Sequence, residues 1–139
     1  MIREAFEEAL DGNSPVEIIF ASDGVEVMDM LHRRAMPGSG ETGPMPSLVI
    51  VDLNMPRKDG IETIRQIRAT SSLRRLPVLV LSTSSSFLDI DRSYEAGANS
   101  YHVKPHEIPA LAELFRDILG YWFGIVRMPS KGIGGINGG

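Results

Sequence analysis

No cysteine occurs in the 139 residues, which excludes disulfides, thiolate metal sites and thiol catalysis. No apolar run approaches the length needed to cross a bilayer, and the acidic, amphipathic N-terminus is unlike a signal peptide. A basic surplus is also missing. The net charge of −4 argues against a nucleic-acid surface. What is present is ordinary for a soluble globular protein: 42% hydrophobic and 23% charged residues. The length suits one domain with a real core and is too short for two. A soluble cytoplasmic single domain is the expectation.

The chain is organised around Ser47 to Gly60, SLVIVDLNMPRKDG. A short, uniformly apolar run ending in Asp52 suits a strand buried on both faces, as in parallel sheets. Open α/β sheets place their binding crevice at the carboxyl ends of their strands, so a carboxylate there is a candidate for chemistry. The plainer reading is that Asp52 caps a turn.

Around this stretch the pattern alternates. Ile2, Phe6 and Leu10 mark an amphipathic helix over Met1 to Leu10, and Val16 to Phe20 reads as a strand. Asp23 with Glu26 resembles a capping box for a helix over Gly24 to Arg34. Ala35 to Pro46 holds three prolines and three glycines and reads as a mobile loop. Ile61, Ile64 and Ile67 mark a helix to Ala69, followed by a second apolar strand, Pro77 to Leu81. The hydroxyl run Ser82 to Ser86 follows, and Ser84 or Ser85 is expected to cap the next helix, which Gly97 stops. Asn99 to Val103 is the last strand, and a helix from His106 or Glu107 runs to Arg127. Residues 131–139 read as a flexible tail.

Such alternation implies right-handed crossovers and a doubly wound parallel sheet. Asp52, Ser82 and Lys104 then sit just past the ends of three strands. A carboxylate can accept a phosphoryl group as nucleophile, and the hydroxyl and ammonium suit the charge on its oxygens. A hard divalent cation, normally magnesium, would complete the balance.

With these residues in place, Asp52 to Gly60, the hydroxyl after PVLVL and Ser100 to Pro105 (SYHVKP) resemble a response-regulator receiver domain. The sequence is similar within that family to the small stand-alone receivers that partner phytochrome kinases. The resemblance covers residues 1–128, leaving 129–139 as the tail. It implies a flavodoxin-like fold with Asp52 as phosphoacceptor, Lys104 as phosphoryl contact and Ser82 as switch hydroxyl. It further implies Tyr101 as an aromatic switch, a cis Lys104–Pro105 peptide, and a metal held by Asp52 and the Asn54 backbone carbonyl. Phosphorylation, adding about −1.5 to −2 of charge, would reorder nearby loops. The implied partner is a sensor histidine kinase, possibly of phytochrome type, with readout through the helix after Ser86, the strand of Tyr101 and the last helix.

Plainer readings stand beside these. Ser82 also suits a strand-end cap, and Tyr101 plain core. His32, His102 and His106 lack ligand spacing and read as solvated or cap-like. Trp122 and Phe123 suit either core or a homodimer contact through the last helix.

The sequence departs from the family at its start. The family's first strand, central in the sheet, and the acidic pair after it have no counterpart here. Its loss is expected to leave unpaired backbone on the strands read at Val16 to Phe20 and Ser47 to Val51, a marginal fold and a weak metal site. A start at an internal methionine, a truncated gene or a degenerate receiver each account for the departure. Three functions follow: a phosphoacceptor switch, a phosphorylation-independent binding module, and an aspartyl-phosphate hydrolase. The last is disfavoured by Asn54 where a second acid is needed. The chain is expected to be no enzyme beyond turning over its own phosphate.

Overall fold

The computed structural model describes residues 18–21, 23–35, 46–53 and 59–129. The chain divides into two compact units, one holding Glu17–Val103 and the other Lys104–Met128. The helix expected over Met1 to Leu10, loop residues 36–45, Asn54 and the tail lie outside the described residues.

Four short runs form one parallel sheet, the two central ones built almost wholly of leucine, valine and isoleucine. They are β1 (Ile18–Ala21), β2 (Leu48–Asp52), β3 (Val78–Ser82) and β4 (Ser100–Val103), in spatial order β1-β2-β3-β4. Parallel neighbours need long crossovers, which carry the helices α1 (Gly24–Ala35), α2 (Gly60–Ala69) and α3 (Phe87–Ala96). The period of two sends Ile19, Val49, Val51, Val78 and Val80 into one core with Leu31 of α1 and Ile61, Ile64 and Ile67 of α2. Leu48, Ile50, Leu79 and Leu81 alternate with them and are equally buried. Both faces are therefore covered, as the uniformly apolar strands require.

One expectation is corrected here. The resemblance places a further strand between the two that the structure assigns as β1 and β2. Instead these pair directly, in the register Ile18↔Leu48 to Ala21↔Val51. The rows of unpaired backbone groups expected between them are absent. Backbone donors and acceptors in a sheet interior must find partners, and two parallel strands with complementary edges supply them to each other.

Side-chain caps fix where the helices begin. Asp23 Oδ1 accepts from the amides of Val25 and Glu26, at 3.0 and 3.3 Å, opening α1. Asp59 Oδ1 accepts from the Glu62 amide at 2.8 Å, opening α2. The cap of α3 is Ser86, whose hydroxyl accepts from Leu88, and neither Ser84 nor Ser85. At the other end of α3, Gly97 takes φ of +117°, a left-handed cap that L side chains rarely adopt. Its carbonyl accepts from Arg68 Nε at 2.9 Å. Arg68 spends its remaining donors on the carbonyls of Arg74 and Leu76 and on Asn99 Oδ1, each at 2.8 Å. The same Asn99 oxygen accepts from the Val78 amide at 2.8 Å, so one guanidinium ties the end of α2 to the entries of β3 and β4.

The smaller unit carries α4 (Ile108–Gly120), with Pro109 in its first turn. Leu111, Ala112, Phe115 and Ile118 form its buried stripe. The helix expected to reach Arg127 changes character at Gly120 and continues as a π-turn over Tyr121–Ile125. The Tyr121 and Trp122 rings meet edge-on there, with centroids 5.7 Å apart. Tyr121 and Ile125 are exposed.

Of the histidines read as solvated, only His106 is exposed. His102 is half-buried on β4 and pairs through Nε2 with Ser100 Oγ at 2.9 Å. Burial penalises the imidazolium and lowers its pKa below the ordinary 6.5.

Two outcomes follow. Gly97→Ala imposes the left-handed strain and drives its Cβ to 2.5 Å from Arg68 Cγ. Denaturant unfolding of this variant is expected to show a loss of about 1–3 kcal/mol. For His102, both folded and unfolded states are neutral above the ordinary pKa. Below it the unfolded chain binds the proton first, so stability falls as the pH drops through and below that ordinary value. His102→Gln is expected to flatten part of that slope in unfolding curves taken across the same range.

Candidate functional site at the carboxyl edge of the sheet

The apolar runs of β2 and β3 end on their first polar side chains, Asp52 and Ser82. Each is the last residue of its strand rather than the first beyond it. In register, Asp52 pairs with Leu81, and Ser82 with Val103. Both strands end at the same edge of the sheet, with Asp52 on the face of Leu81 and Ser82 on the face of Val80 and Tyr101. The Leu53 amide donates to the Leu81 carbonyl at 3.3 Å, extending the ladder past Asp52.

The helix after this edge is held close by a glycine. A Cβ on Gly60 would stand 2.8 Å from Leu53 Cδ2 and 3.0 Å from Val51 Cγ1. Only glycine lets the start of α2 lie this near the end of β2. The N-cap of α2 is Asp59. Asp52 itself is half-buried.

Ser82 is 2% exposed, and its Oγ accepts from the Ser84 amide at 3.1 Å. A hydroxyl used as acceptor keeps its proton for another oxygen. Ser84 Oγ donates to Asp89 Oδ2 at 2.6 Å and accepts from the Ser86 amide at 3.1 Å. The Tyr101 hydroxyl donates to the Ser84 carbonyl at 2.8 Å, while its ring packs against the core. Register explains that reach. Tyr101 pairs with Val80, two residues before Ser82, and so shares its face of the sheet. Thus Ser82 and Tyr101, both singled out from sequence as switch residues, are joined through Ser84, which the sequence offered only as a helix cap. The run of alternating serines with an aspartate five residues after Ser84 was visible, but adjacent serines are chemically alike in sequence.

Lys104 follows Val103 in the chain, opens the other unit and is half-buried. The described backbone holds no cis peptide, so Lys104–Pro105 is trans. This corrects the cis bond implied by the resemblance. An X–Pro bond prefers trans by about 0.5–1 kcal/mol unless a tight turn reverses it, and the dipeptide alone carries no such instruction.

Asp52 is the candidate metal carboxylate, and Asn54, the second implied ligand, lies outside the described residues. Among the described residues no three His, Asp or Glu side chains cluster in a way that could hold a metal. Magnesium demands near-octahedral oxygen ligation, and the described donor set does not fit it.

Comparison with known proteins places this geometry. The model of the response regulator receiver domain matches residues 1–116. Response regulator Rcp1 of Synechocystis sp. is 35% identical over 114 residues, covering 82% of this chain and 76% of that protein. The crystal structure of the phosphorylated cyanobacterial phytochrome response regulator RcpA superposes with a TM-score of 0.79 at 34% identity. It covers 92% of this chain and 90% of that one. The Mn(2+)-bound form of Rcp1 gives a TM-score of 0.78 at 32% identity, covering 93% and 91%. Among the described residues no helix is long and apolar enough to cross a membrane. The chain belongs to the response regulator receiver domain family, with a phosphoacceptor role in two-component signalling.

Proposed function

We propose that the chain takes its phosphate on Asp52. A carboxylate oxygen forms the new O–P bond while the bond from phosphorus to the donor breaks, and that electron pair leaves with the donor. The acyl phosphate gains oxygens that need donors, and Ser82 keeps its proton for one of them. Lys104 supplies a point charge as the second phosphoryl contact. The observation that carries this reading is that the apolar runs of neighbouring β2 and β3 both end, at one edge of the sheet, on the polar residues Asp52 and Ser82. Tyr101, tied to the loop after Ser82, reports the change at β4.

The donor is a sensor histidine kinase of the phytochrome type, because the relative RcpA is named as a phytochrome response regulator. The chain works in the cytoplasm, and protein contact carries the signal, the net charge of −4 disfavouring nucleic acid. Tyr121 and Ile125 offer exposed apolar surface beyond α4 for a homodimer. Its only covalent chemistry is gaining and losing its own phosphate. Magnesium is the implied cation, with Asp52 and the Asn54 backbone carbonyl as its implied ligands. One carboxylate and a carbonyl are little charge for a hard dication, which supports a second reading, a module that binds its partner without phosphorylation.

Incubation with acetyl phosphate and magnesium, followed by phosphate-affinity electrophoresis, separates the two. Slow uptake of one phosphate, abolished in Asp52→Ala, is expected. No uptake by the native chain, with kinase binding unchanged by Asp52→Ala, would favour the second reading.

A further inference from the structure

Ser84 has its polar groups engaged with three different elements. Its amide donates to Ser82 Oγ at the end of β3, 3.1 Å away. Its carbonyl accepts from the Tyr101 hydroxyl on β4 at 2.8 Å. Its hydroxyl donates to Asp89 Oδ2 at 2.6 Å and accepts from the amide of the α3 cap, Ser86, at 3.1 Å. Asp89 lies in the first turn of α3, where the helix dipole favours a negative charge. A residue that only closed a turn would need the first of these bonds.

The four bonds are unequal. The Ser84–Asp89 bond is short and charge-assisted, roughly twice as strong as a neutral one, whereas the bond to Ser82 is neutral and long. Because the Ser84–Asp89 bond is the stronger, any shift of Ser84 that follows Ser82 carries the first turn of α3 with it. Displacement is shared with the helix instead of being absorbed in the loop. We propose that Ser84 is a positioning residue that couples the Ser82 hydroxyl to the first turn of α3 through Asp89, in parallel with the Tyr101 branch. This deepens the switch reading of Ser82 and rests on it. The coupling itself is present in the unphosphorylated chain and can be measured there.

The test is a double-substitution cycle on the full unphosphorylated chain, read by amide hydrogen exchange at Leu88 to Ile90. Ser82→Ala alone is expected to speed exchange there by up to about tenfold, the scale of one lost neutral hydrogen bond. In the Ser84→Ala background the same substitution is expected to leave that exchange unchanged. Ser84→Thr, which keeps the hydroxyl, is expected to restore the response, and Asp89→Asn to weaken it. Additive effects of Ser82→Ala and Ser84→Ala, or no restoration by Ser84→Thr, would overturn the coupling. Thermal unfolding of each variant separates these outcomes from global loosening. Failure of Asp52 to take up phosphate would count against the phosphoacceptor reading and would leave the exchange rates of the cycle unchanged.

Discussion

Parallel register between β2, β3 and β4 is the constraint on which the rest depends. It sets Asp52 against Leu81 and Ser82 against Val103, and thereby brings the first polar residue of each apolar run to one edge. A slip of one residue would send Ser82 to the opposite face from Tyr101 and sever their link through Ser84. The register is held from both faces, since Val49, Val51, Val78 and Val80 on one side and Leu48, Ile50, Leu79 and Leu81 on the other are all buried. Burial of a strand side chain contributes about 1.5–3 kcal/mol, so a slipped pairing that misplaces several is heavily disfavoured.

The opposite edge is fixed differently. Arg68 gathers three carbonyls and the Asn99 amide oxygen, and Gly97 makes room for it. The entries of β3 and β4 are thus moored by polar contacts, while at their exits Ser82 and Tyr101 are joined through Ser84. That division suits a switch.

Much of this was legible in the sequence because the signals were local. LVIVD and VLVLS announce buried strands, Asp59 and Gly97 mark helix ends, and Asp52 and Ser82 stand where apolar runs stop. What was not legible depended on distant partners or on choices among equals. Pairing of β1 with β2 is a contact between strands far apart in sequence, and no residue encodes it alone. Serines 84, 85 and 86 share one chemistry, so the cap of α3 went to the residue whose backbone reached it. The trans Lys104–Pro105 bond reflects the small intrinsic preference of prolyl peptides. Arg68 left no trace, because an arginine that binds carbonyls looks like any solvated one.

Everything at this edge of the sheet turns on where the phosphate goes. Borohydride reduction of the phosphorylated chain converts an aspartyl phosphate to homoserine, which peptide mass spectrometry locates. Homoserine at position 52, with Asp59 and Asp89 unaltered, is the predicted result. Reduction at another aspartate, or at none in a chain that has taken up phosphate, would contradict it.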